Sequence, residues 1–182
     1  MKITKEYLRK QNACEESLKF GTEHDLLGME AVPLIERLIE LEEVNWALWL
    51  LVRTMSRKQC IQFACNCARS VLHIFEERFP GDERPRNKIE EAEKFGTPDF
   101  DEGKCKAAAD NAYYAANAYD AANDADNATY DAAYYAANAA ANAATYAAND
   151  AANAAYAAKA SKCGKKVKLA DLVRSGIDMM VK

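Results

Sequence analysis

The sequence predicts an all-α fold, a helical bundle whose C-terminal half is a long alanine-rich helical hairpin or rod. Three observations carry that expectation. From Ala107 to Ala160 the chain runs 54 residues without Gly or Pro, and 29 of them are alanine, the residue that loses least on entering a helix. Before Phe100, large apolar residues recur at steps of three and four, which is the helical period. Breakers fall between these periodic stretches, at Gly21, Pro80-Gly81, Gly96, Pro98, Gly103 and Gly164.

Taken in order, Thr4 caps a short helix reaching Lys10, and a second spans Ala13 to Phe20, ended by Gly21. In MEAVPLIERLIELEEV, residues Val32, Ile35, Leu38, Ile39 and Leu41 share a helical face. Pro33 is tolerable only in a first turn, so that helix starts near Val32. Asn45 to Met55 is a continuous apolar run with Trp46 and Trp49 on one side, too short for a membrane span and therefore a buried helix. Ser56 caps a long helix whose stripe of Ile61, Ala64, Cys65, Ala68, Val71, Leu72 and Phe75 runs towards Phe79, where Pro80-Gly81 stops it. Pro85 suits the first position of a helix to about Phe95, and Gly96, Pro98 and Gly103 form a linker.

The alanine segment carries an eleven-residue period: Asp120, Asp131, Asn142 and Asn153 recur at that interval, as do Asn127, Asn138 and Asn149. Eleven residues make almost three turns, so the repeat holds a polar line along a nearly straight helix. Its members include Tyr113, Asn117, Asp124, Tyr135, Thr145 and Tyr156. Unbroken from Lys104 to Ser161, this helix would reach about 85 Å, too long for a compact domain of this size. A hinge at Asn123 to Asn127 would fold it into an antiparallel hairpin, and Asn149-Asp150 offers a place where a second break could fall. After Gly164, a last amphipathic helix turns Leu169, Leu172, Val173 and Ile177 inwards. The expected organisation is a helical core over 1–100, the alanine-rich segment over 104–161 packing on it, and the amphipathic helix over 165–182, together one structural unit.

A net charge of −4 argues against sequence-independent nucleic-acid binding through a basic face. Six cysteines lack zinc-ribbon or CxxC spacing and read as free thiols. With no apolar leader in MKITKEYLRK and no run long enough to span a bilayer, the expected location is the cytoplasm. His24 and His73 are the two histidines, one in a charged turn and one beside an apolar stripe, and neither stands in a catalytic pattern. Paired glutamates such as Glu42-Glu43 and Glu90-Glu91 read as solvated helix faces, without metal-site spacing. No cofactor is implied.

Three candidate sites remain. Arg84 and Arg86, beside a helix N-terminus, could hold a phosphate or carboxylate, or serve internal ion pairs with neighbours such as Asp82 and Glu83. The polar stripe, represented by Tyr113, Asn117, Asp120, Asp124, Asp131, Tyr135, Asn138 and Asn142, would suit a protein partner or would pack between alanine helices. Trp46, Trp49 and Arg53 share a face that would suit either a binding hot spot or the core.

The run NWALWLLVRTMSRKQCIQFACNCARSVLHIFEERFPGDERPRNKIEEAEKF, the AAYAA/AANAA tract and KLADLVRSGI together resemble a family of bacterial and phage immunity proteins. The most specific pieces are Asn45, Trp46, Trp49, Leu50, Leu51, Val52 and Arg53, and then Asp82, Arg84, Pro85 and Arg86. The resemblance implies a helical, non-enzymatic protein that neutralises a toxin, nuclease or other effector by binding it. Two other readings stand beside this one: a phage counter-defence protein that takes up a nucleotide signal or blocks a host defence complex, and a self-assembling helical module, a homodimer in its simplest form.

Overall fold

The computed structural model describes residues 1–108, 131–135, 138–139, 144–160 and 167–181. Eight helices order these residues: α1 (Lys5–Lys10), α2 (Glu15–Glu23), α3 (Ala31–Glu40), α4 (Val44–Thr54), α5 (Arg57–Arg78), α6 (Arg84–Glu93), α7 (Ala144–Ala160) and α8 (Leu169–Val181). Residues 102–108, 131–135 and 138–139 are helical as well. Among the described residues there is no strand, only an isolated bridge between Lys2 and Glu30, so the all-α expectation holds. None of the described helices is long and apolar enough to cross a membrane.

Helix boundaries follow the side chains that can satisfy backbone groups. The Thr4 hydroxyl accepts from the Tyr7 amide and opens α1. Ser56 and Gln59 form a reciprocal capping box at the start of α5. The Gln59 side-chain amide also donates to the Met179 carbonyl at 3.0 Å, which ties the beginning of α5 to the end of α8. Pro85 lies in the first turn of α6, where its missing N–H costs nothing. Glu42 takes a left-handed backbone (φ 65°) between α3 and α4.

Two expectations need correction. Gly21 does not end α2, which continues to Glu23. It is buried inside the helix, where a Cβ would come within 3.1 Å of Leu27 Cδ2, so close approach explains the glycine. Nor does the chain break at Asn149-Asp150, because α7 runs through both residues from Ala144 to Ala160. Isolated Asn and Asp are weak helix formers, and the alanines around them with packing on one side outweigh their turn tendency. The hinge expected at Asn123 to Asn127 lies outside the described residues.

The core centres on α5, which buries Ile61, Phe63, Cys65, Cys67, Val71 and Phe75. Such wide burial requires helices on several sides. The most extensive helix contact among the described residues joins α5 to α7, while α4 also meets α3, α7 and α8. On α7 the buried residues Ala147, Ala151, Ala154, Ala155 and Ala158 fall at steps of three and four. A face of methyl groups lets two helix backbones approach closely and bury both without voids. From α8, Leu169, Leu172, Val173 and Ile177 enter the core as expected.

These contacts leave no room for larger side chains. A Cβ at Gly176 would lie 2.6 Å from Leu51 Cδ2 and 3.1 Å from the Phe63 ring. Gly176→Ala should therefore destabilise the protein by about 1–2 kcal/mol in urea unfolding, despite alanine's helix preference, because overpacking outweighs propensity. Ala151→Leu should cost about 1–3 kcal/mol by the same measure.

The thiols make a second prediction. Burial pushes Cys60 and Cys105 up to about 11, and Cys65 and Cys67 further up. Cys14 is exposed, and hydrogen bonding with Ser17 holds it below the ordinary thiol value. Iodoacetamide at neutral pH should alkylate Cys14 well before Cys60, Cys65, Cys67 or Cys105, as read by peptide mass mapping.

Candidate functional site

Because α7 turns its alanines towards α5, its larger residues must face away. Tyr146, Asn149, Asn153, Tyr156 and Lys159 are all exposed, and they follow one another at intervals of three and four. Tyr146 is 60% exposed and Tyr156 40%, which makes them two of the few large apolar residues described that stand in water. A tyrosine offers a flat apolar ring and a hydroxyl, and only a few torsions need to be fixed when it is covered.

The α4 helix extends this face. Arg53 lies with its guanidinium carbon 4.1 Å from the centre of the Trp49 ring, a cation–π arrangement. Its Nη1 donates to the Trp49 carbonyl at 3.3 Å, and its Nη2 to Asn149 Oδ1 on α7 at 3.4 Å. The Tyr7 hydroxyl donates to the Arg53 carbonyl at 3.1 Å, bringing α1 to the same point. Burial lowers the Arg53 pKa and raises that of Tyr7. Trp49 and Arg53 are half-buried, so each keeps a surface for contact while its geometry is held from below.

Of the stripe residues expected to bind a partner, Tyr113, Asn117, Asp120, Asp124 and Asn142 lie outside the described residues. Asp131, Tyr135 and Asn138 are half-buried, and Tyr135 packs against the core with its ring 5.5 Å from that of Tyr134. Burial holds the Asp131 carboxyl above the ordinary carboxylate value. Among the described residues, the exposed members of the stripe are Asn149, Asn153 and Tyr156. Tyr146 and the link to Arg53 escaped sequence reasoning because the steps of three and four pass through Thr145, although Tyr146 stands eleven after Tyr135, and because Arg53 is 96 positions from Asn149.

Both arginines of the candidate anion site face carboxylates of their own chain. Arg84 forks onto Asp82 with Nε–Oδ1 2.8 Å and Nη2–Oδ2 2.5 Å, and Arg86 Nη2 lies 2.5 Å from Glu76 Oε1. A third pair, Arg69 with Glu93, bridges α5 and α6 through contacts of 2.9 and 2.7 Å. These are the internal ion pairs that stood as the alternative use of Arg84 and Arg86. His73 is exposed, and His24 stacks on Phe20 with ring centres 4.1 Å apart. No group of three or more potential metal-ligating side chains comes together among the described residues.

The arrangement offers binding chemistry: tyrosine rings, side-chain amides, and an arginine braced on tryptophan. A protein-family model described as "Imm-5 like putative immunity protein" matches residues 50–177. That span covers the end of α4, the whole of α5, α6 and α7, and most of α8. No curated protein and no solved structure matches the chain.

The half-buried Asp131 carboxylate sets a pH-dependent prediction. A carboxyl whose pKa is raised by folding favours its protonated form in the folded state, so its ionisation costs stability above that raised value and nothing below the unfolded one. Asp131→Asn should therefore stabilise the protein at neutral pH, and the gain should vanish in acid below the ordinary aspartate range, as followed by thermal unfolding.

Proposed function

The chain belongs to the Imm-5 like immunity protein family, and on that premise we propose that it neutralises a protein toxin or effector by binding it, without catalysis. The observation that carries this reading is the exposed Tyr146–Asn149–Asn153–Tyr156 face of α7, joined to Trp49 and Arg53 by the Arg53–Asn149 hydrogen bond. Tyr, Trp and Arg are the side chains most enriched where interface energy concentrates, and here they lie on helices held rigidly by the core. A surface held in advance loses little freedom on binding, which is what tight inhibition requires.

The half-buried Asp131, Tyr135 and Asn138, together with Tyr113, Asn117, Asp120, Asp124 and Asn142, belong to the same proposal as an extension of the face along the polar stripe. Cytoplasmic residence is part of the reading, supported by the reduced thiols of Cys60, Cys65 and Cys67 in the core.

A tagged chain passed through nuclease-treated lysate of a toxin-bearing host strain should retain one stoichiometric protein, and the purified pair should show the toxin inhibited. Tyr146→Ala combined with Tyr156→Ala should weaken that complex at least about tenfold while leaving the unfolding temperature within about a degree. The reading fails if candidate toxins form no complex with excess protein and keep their activity. It is replaced by self-assembly if light scattering finds the double substitution dissolving a dimer of the chain itself.

A further inference from the structure

The first half of the chain holds a feature that the family match touches only at Leu50. An apolar cleft of about 320 Å³ opens between α1, α2, α3 and α4. Buried Leu26, Leu34 and Leu38 line it together with half-buried Phe20, Trp46 and Trp49. Both tryptophans of the protein are therefore in its wall. The Phe20 and Trp46 rings meet edge to face with centroids 5.0 Å apart, which packs α2 against α4 in the cleft wall. Asn12, Cys14 and Ser17 supply its polar lining. The volume accommodates one large apolar side chain with space to spare.

Two observations indicate what fills it. The first is charge. Glu6, Glu15, Glu16, Asp25, Glu36 and Glu43 each lie within three positions of a lining residue, and none has an ion-pair partner among the described residues. Lys19 is cancelled by Glu23 at 3.7 Å, which leaves Lys5, Arg9 and Lys10 on the α1 side and Arg53 on α4 against six carboxylates. The second is continuity. Trp49 lines the cleft and also carries the Arg53 guanidinium, which reaches Asn149 on the tyrosine face. Cleft and face are thus one surface that meets at a single tryptophan.

We infer that the cleft is a second docking point, which seats an apolar side chain borne on a basic segment of the protein partner. This rests on the binding role proposed above and specifies the partner's chemistry. The apolar anchor gains from leaving water for a pocket that is already formed, and flanking lysines or arginines meet the unpaired carboxylates of the rim. The walls other than Leu50 precede the family-matched span, so the socket would set which partner this chain accepts.

The test uses the intact protein with the hexapeptide KKFLKK as probe and the emission of Trp46 and Trp49 as readout. A saturable change in emission is expected, at least about tenfold weaker with EEFLEE and with the Glu16→Lys, Glu43→Lys variant, and more so at low salt. Ala13→Phe, which fills the cleft, should abolish it, whereas Tyr146→Ala should leave it intact. No saturable change with KKFLKK, or equal binding of EEFLEE, overturns the inference. So does decanol binding in preference to KKFLKK, which would make the cleft a small-molecule site. Toxin capture is measured separately: its absence with peptide binding intact removes the inhibitor reading and leaves the socket, while capture unaffected by Ala13→Phe removes the socket and leaves the reading.

Discussion

The close contact of α7 with α5 is the constraint on which the rest of the structure depends. It is made by methyl groups: Ala147, Ala151, Ala154, Ala155 and Ala158 have almost no exposure, and they face a helix that buries phenylalanine, valine and isoleucine. Each alanine removes little area from water, so the contact gains its strength from dense packing along several turns. The same alanines set the rotation of α7 about its axis. Once the small residues are inside, Tyr146, Asn149, Asn153 and Tyr156 can only be outside. Packing and binding are thus opposite faces of one helix.

The second requirement is a fixed relation between α4 and α7, since the candidate surface uses both. Arg53 supplies it by stacking on Trp49 and donating to Asn149. The arginine is partly withdrawn from water, and its ring contact and hydrogen bonds compensate for the hydration it loses. Below it, α8 locks the assembly: Gly176 lets Leu51 and Phe63 close over the helix, and Gln59 joins its far end to the start of α5. Ion pairs such as Arg69–Glu93 and Arg86–Glu76 hold α6 against α5 at the surface, where they orient more than they stabilise.

The family match and the cleft divide the chain unequally. Residues 50–177 carry the helices of the alanine packing, whereas all but one of the residues lining the acidic-rimmed cleft precede that span. Substitutions in the cleft walls before residue 50 can alter the socket without disturbing the α5–α7 contact, because none of those residues lies on either helix. Trp49 couples the two, being a wall of one and a support of the other.

Much of the fold was legible in the sequence because helix formation is a local matter. Ser56 as cap, Pro80-Gly81 as stop, Pro85 in a first turn and the inward face of Leu169, Leu172, Val173 and Ile177 all follow from interactions within a few residues. Local rules also misled: Gly21 looked like a terminator and is a packing site, and Asn149-Asp150 looked like a break and is continuous helix. The eleven-residue line showed that α7 has a polar side, but periodicity is blind to rotation, so it could not say which side meets α5. That was decided by tertiary contact, as were the pairing of Arg53 with Asn149 and the enclosure of the cleft. Each depends on the distance between helices far apart in the chain, and no local propensity encodes it.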